Sequence, residues 1–154
     1  MRRLATIAAA MALAAAGLGA APGGLARWGS LKPGDYMQNL PWGDPGFRRE
    51  LAAVLAPKAP LARLYRGGPV VGPLRRTGQA VVAWGCRAHN CSDIQAQVYI
   101  EPEANRLFVC WRDADASGGS DWWLARGKAP ERLPERACAA EERADKVYAE
   151  RAAR

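Results

Sequence analysis

The chain has 154 residues, a formal net charge of +7, four cysteines, six tryptophans and one histidine. This length allows one domain with a buried core. The Lys and Arg residues alternate with Glu and Asp instead of forming a block, which argues against a nucleic-acid partner, and charges or prolines interrupt every later apolar window before it could span a membrane.

The first residues read as an export signal. Arg2 and Arg3 form a charged start, and the apolar stretch 4–18 is too short for a mature membrane helix. General secretion is favoured over the twin-arginine route, because no polar residue precedes the pair and no Phe-Leu-Lys follows. The expected organisation is a signal peptide over residues 1–21, a flexible Gly-, Ala- and Pro-rich lead over 22–31, and a single domain over 32–154, with order beginning near Leu31. No cysteine stands at the cleavage region to carry a lipid, so a freely diffusing periplasmic protein is expected. Losing Arg2 and Arg3 lowers its charge to about +5.

Further along, Asp44-Pro45-Gly46-Phe47 predicts a capped helix start with proline in the first turn, and Phe47, Leu51, Val54 and Leu55 share one face. Pro57 and Pro60 should end this helix. Residues 61–65 read as a strand, followed by turns at Gly67-Gly68-Pro69 and Gly72-Pro73. Strands are then expected over 79–85, 94–100, 106–112 and 121–125, and the three successive short links joining them imply an antiparallel meander. In the 106–112 strand, Leu107, Val109 and Trp111 point one way while Phe108 and Cys110 point the other, so helices should cover both faces. The tail over 134–152, rich in Ala, Glu and Arg, reads as a solvent-facing helix. The fold class expected is α+β: an antiparallel sheet of about five strands flanked by helices, with a protruding disulfide-closed loop.

An even number of cysteines in an exported chain predicts disulfides. Cys86 and Cys91 lie where two antiparallel strands reverse and should pair, leaving Cys110 with Cys138. So short a ring supplies preorganisation more than stability, because disulfide stabilisation rises with loop length. His89, the only histidine, falls inside it, and imidazole can engage two groups through its two nitrogens. The spacing fits neither a zinc site nor a Cys-x-x-Cys redox pair, and oxidation removes either cysteine as a nucleophile. No metal, cofactor or catalytic residue is expected.

The loop Cys86-Arg87-Ala88-His89-Asn90-Cys91 resembles the Cys-Lys-Pro-His-Asp-Cys hallmark of the inhibitor of vertebrate lysozyme (Ivy) family. The similarity extends through Tyr65-Arg66-Gly67-Gly68 and Gly78 before the loop and Val98-Tyr99-Ile100-Glu101 after it, over roughly residues 32–126. The resemblance implies a non-enzymatic inhibitor whose loop enters the active-site cleft of a C-type lysozyme. His89 would be the key residue, placed between two carboxyl groups that a retaining glycosidase holds about 5 to 5.5 Å apart. Arg87 would reach the cleft rim, and Asn90 would brace the loop through backbone hydrogen bonds. Ala88 and Asn90 depart from the family's Pro and Asp, giving a less rigid loop and removing a negative charge.

C-type lysozymes are strongly basic, so a basic inhibitor would be repelled at long range unless Glu101, Glu103, Asp113, Asp115 and Asp121 gather near the interface. Two alternatives follow: a regulator of the cell's own lytic transglycosylases, or a non-inhibitory module binding the cell envelope. A homodimer is compatible with the sequence.

Overall fold

The computed structural model describes residues 25–35, 43–55, 61–65, 69–117 and 121–154. The expected signal peptide, Pro57, Pro60, Gly67 and Gly68 lie outside the described residues.

The ordered domain starts earlier than its composition suggests. Residues Leu25–Ser30, expected to belong to a flexible lead, form a 3-10 helix with Leu25 and Trp28 buried in the core. The Leu25 amide donates to Asn105 Oδ1 at 2.9 Å, and Trp28 meets Phe47 edge to face at 5.8 Å. Helix α1 (Pro45–Leu55) has the expected cap: Asp44 Oδ1 accepts from the Phe47 amide at 2.7 Å, and Phe47, Leu51, Val54 and Leu55 are buried. Residues 61–65 are a helix, α2 (Leu61–Tyr65), which corrects the strand reading. Its Leu64 enters the core, and a five-residue segment carries too little periodicity to separate the two states.

The remaining elements form one antiparallel sheet. Strands β1 (Pro69–Val71) and β2 (Arg75–Thr77) both pair with β3 (Ala80–Arg87). The sheet continues through β4 (Ile94–Glu101), β5 (Arg106–Asp113), β6 (Asp121–Ala125) and β7 (Glu131–Leu133). A short helix, α3 (Ala114–Ser117), separates β5 from β6, and α4 (Glu141–Arg151) closes the chain. The four expected strands are β3 to β6. Three more, each of three residues, line the edges, so the sheet has seven strands where about five were expected.

Both sheet faces are covered, as the two-sided pattern of β5 requires. Leu107, Val109 and Trp111 join the 3-10 helix, α1 and α2 in one apolar layer, whereas Phe108 and Cys110 join Tyr99, Trp123 and Leu133 under α4. Helix α4 is therefore not simply solvent-facing: Ala144, Val147 and Tyr148, at helical spacing, are buried against the sheet. It begins at Glu141, later than expected, because residues 135–140 form turns.

Polar anchors reinforce this apolar contact. Tyr99 donates to Asp145 Oδ1 at 2.9 Å and Tyr148 to Glu101 Oε1 at 2.7 Å, and the two rings stack at 4.6 Å. Burial raises both phenols well above the ordinary value of 10.0, and the carboxylate that each one contacts raises it further. A phenol whose folded value lies above its unfolded one contributes stability that is fully present below about pH 10 and is lost as pH rises through the folded value. In an alkaline titration followed by phenolate absorbance, Tyr99 and Tyr148 should stay silent until circular dichroism reports unfolding. Ionisation of all four tyrosines in a chain with native dichroism would contradict this.

Candidate functional site

The β3–β4 reversal carries the loop. Cys86 and Cys91 are bonded, with their Cα atoms 4.9 Å apart. Within the ring the Asn90 amide donates to the Arg87 carbonyl at 3.0 Å, and the Asn90 carbonyl accepts from Asp93 at 3.3 Å and Ile94 at 3.0 Å. These are backbone bonds that any non-proline residue at position 90 would make. Arg87 and Ala88 are half-buried, and His89 is exposed at the turn.

His89 has φ +63°, in the left-handed region. An L-residue occupies that region at a penalty of about 1 to 2 kcal/mol, with His, Asn and Asp tolerated best. The turn geometry therefore fixes the direction in which the imidazole leaves the backbone. Arg87 is half-buried at the flank of the turn.

A buried brace holds the far end of the ring. Arg112, 4% exposed, donates from Nε to the Ser92 carbonyl at 2.8 Å and from Nη1 to Asp121 Oδ1 at 2.9 Å. Asp121 is fully buried, and its Oδ2 accepts from the Cys138 amide at 2.5 Å. Burial pushes the Asp121 carboxyl up, against the Cys138 amide and Arg112, which favour its charged form. Cys138 is bonded to Cys110, as expected. The residue after Cys91 is thus tied through one ion pair to the second disulfide and the central strands. The Asp93 carbonyl accepts from the Ala114 amide at 2.9 Å, which secures the same segment to the end of β5.

Sequence reasoning missed Arg112 and Ser92, and considered Asp121 only as an interface acid. The signal was an Arg on β5 and an Asp on β6, charged positions in apolar strands, which the antiparallel register places directly opposite each other. Of the other acids, Asp113 and Asp115 lie at the loop end of the sheet, on either side of Ala114, and Glu101 and Glu103 at the opposite end. Asp113 is buried in an ion pair with Arg63, and exposed Asp115 lies 3.5 Å from the same guanidinium. Glu101 is buried against Arg106 at the opposite end of the sheet, and Glu103 is exposed in the turn that follows it.

A family model described as inhibitor of vertebrate lysozyme (Ivy) matches residues 46–146. The chain belongs to the inhibitor of vertebrate lysozyme (Ivy) family. The Ivy match begins in α1 and ends in α4, so it takes in all seven strands, the His89 turn and both disulfides. It starts inside the region of resemblance read from the loop and its flanks and extends past its C-terminal bound, to include Cys138. No curated protein and no solved structure matches this chain. Among the described residues of this Ivy-family chain, no helix is long and apolar enough to cross a membrane.

The two disulfides should separate under mutation. In the chain-entropy picture, closing 28 residues between Cys110 and Cys138 stabilises by about 3.5 kcal/mol, and closing five between Cys86 and Cys91 by about 2 kcal/mol. The double serine variant at 110 and 138 should melt roughly 10 to 15 °C lower. The pair at 86 and 91 should melt with a smaller loss. Equal losses in calorimetry would show that the short ring carries more of the fold than its length allows.

Proposed function

We propose that this chain is an exported, periplasmic inhibitor of C-type lysozyme that presents the Cys86–Cys91 turn to the enzyme's catalytic cleft, with His89 as the inserted group. The observation that carries this reading is the exposed His89, held at positive φ in a disulfide ring at the end of the sheet. A non-glycine residue kept in a sparsely populated conformation by its surroundings is a common feature of functional sites. The family match supports the target class.

Inhibition needs no chemistry from the inhibitor. A retaining glycosidase places an acid and a nucleophile about 5 to 5.5 Å apart, and an imidazole between them can hydrogen-bond to both. The plug also occupies the position of the sugar. Since the ring and the Arg112 brace already fix the backbone, little conformational freedom is lost on docking. Arg87, on the flank, reaches acidic or carbonyl groups at the rim.

One observation favours a second target, the cell's own lytic transglycosylases. Asp113, Asp121 and Glu101 are consumed in buried ion pairs, so in an exported chain of net charge about +5 these acids offer little free negative charge to attract a basic enzyme.

The test is an activity titration of a C-type lysozyme on cell-wall substrate with the purified, oxidised protein, beside a lytic transglycosylase. Loss of lysozyme activity at stoichiometric inhibitor is the expected result. Full lysozyme activity with the transglycosylase blocked would move the assignment to the second target. Neither enzyme affected would refute inhibition.

A further inference from the structure

A second recognition feature lies beside the base of the loop, on the α4 side of the sheet. The register aligns Trp84 with Gln97 and Cys86 with Gln95, so these four side chains share one face in two adjacent cross-strand rows. Here Trp84, Gln95 and Gln97 line a cleft of about 320 Å³, walled by Gly72 on one side and by Ala140 and Glu141 at the start of α4 on another. This is within the size range of small-ligand sites.

The cleft is built, not left over between elements. Trp84 is half-buried, and its indole N–H donates to Gln95 Oε1 at 2.8 Å, which fixes the ring while leaving it at the cleft wall. Gln95 Nε2 donates in turn to the Ala139 carbonyl at 3.4 Å. Gly72 lies so close to the indole that a Cβ there would come within 3.1 Å of the six-membered ring, so glycine is what lets the β1–β2 connection lie against Trp84.

Gln97 is the informative residue. It is fully buried, and Arg75 Nη2 donates to its Oε1 at 2.5 Å, which orients the amide. Its Nε2 has no hydrogen-bond partner among the described residues. A buried donor without a partner is rare in a folded protein and calls for an acceptor.

The charge balance selects the ligand class. Arg75, which donates to Gln97, is paired with Asp145 at 2.5 Å and faces Glu141 at 3.6 Å, so among the described residues its charge is compensated. An indole wall, two oriented amides and an exposed carboxylate suit a neutral ligand with an apolar face and polar edges. A pyranose ring has that shape. Gln97 Nε2 is enclosed, so a carbonyl oxygen on the ring's substituent would satisfy this donor by a small outward rotation of the Gln97 amide, and Glu141 would accept from a hydroxyl.

We propose that this cleft binds an N-acetylhexosamine residue of a neutral glycan, stacked on Trp84 with its acetamido carbonyl directed at Gln97. This does not depend on the inhibitory role of His89. Trp84 lies only two residues, about 7 Å of strand, before Cys86. A glycan held here would therefore run past the foot of the loop.

The experiment is a two-dimensional NMR titration of the labelled, oxidised protein with the N-acetylglucosamine trimer and, separately, with cellotriose, which lacks the acetamido group. The expected result is saturable shifts at the Trp84 indole N–H and the Gln97 side-chain amide with the acetylated trimer, and weaker binding of cellotriose. Ala140→Leu, a change at an exposed position, should fill the cleft and weaken trimer binding about tenfold or more while leaving lysozyme inhibition unchanged. Trp84→Leu should lose the same binding. No saturable shift with either sugar, shifts confined to other surfaces, or an Ala140→Leu protein that binds like the parent would overturn the proposal. Equal binding of cellotriose would overturn the acetamido assignment.

Discussion

Replacing His89 by Asn should reduce inhibition of a C-type lysozyme by about a hundredfold to ten-thousandfold and leave the melting temperature unchanged. The range follows from losing two charge-assisted hydrogen bonds in a cleft closed to water, each worth about 1.5 to 3 kcal/mol. Asn suits the test better than Ala because position 89 has φ +63°, which Asn tolerates. The turn is therefore preserved and only the reach of the side chain is lost. His89 is exposed, so the core does not feel the change. Thermal melts and inhibition constants on the same preparations make the measurement complete. An Asn variant that inhibits like the parent would remove His89 from the mechanism, even if the protein were an inhibitor.

The largest effect on stability should come from Asp121→Asn, a change of one atom. Asp121 uses both oxygens as acceptors, one for Arg112 and one for the Cys138 amide. Asn offers one oxygen and an NH2 group, so one of these donors would face another donor. The buried Arg112 guanidinium would also lose its countercharge. Breaking one side of a buried ion pair costs about 3 to 5 kcal/mol, and urea unfolding should show a loss of that order. Substituting both residues by apolar side chains of similar volume should recover much of it, because the attraction of such a pair barely exceeds its desolvation penalty. Since Arg112 also holds the Ser92 carbonyl, amide exchange should quicken around residues 91–94 in the single variant. A loss below about 1 kcal/mol would mean that the network is not the brace its geometry describes.

Much of this architecture was legible in the sequence, for identifiable reasons. Asp44-Pro45 marked the start of α1 because capping is a local interaction within four residues. The four long strands were visible because eight-residue segments such as β5 carry enough alternation to show two faces. Cys86 with Cys91 followed from the position of a chain reversal. The short elements escaped for the complementary reason. Strands β2 and β7, with Arg75-Arg76-Thr77 and Glu131-Arg132-Leu133, are three residues long and charged, and are strands only because a longer neighbour pairs with them.

Helix α4 was misjudged on the same principle. Its many charges suggested a solvated helix, although Ala144, Val147 and Tyr148 are enough to seat it once Tyr99, Phe108 and Trp123 supply the opposite surface. At the candidate site the loop residues could be named from their order alone. The Arg112–Asp121 brace and the Trp84–Gln97 cleft could not be named from order alone, because each depends on the exact register of two neighbouring strands.

The double anchoring of the turn separates the fold from the recognition sequence. Cys86 is held by β1 and β4 and Ser92 by Arg112, so the four positions from 87 to 90 contribute little to the apolar interior. Such a segment can be diversified as a tetrapeptide library on an unchanged framework, subject to one grammatical rule: position 89 must accept a left-handed backbone, which favours His, Asn, Asp or Gly. New binding specificities could then be selected without redesigning the interior of the protein.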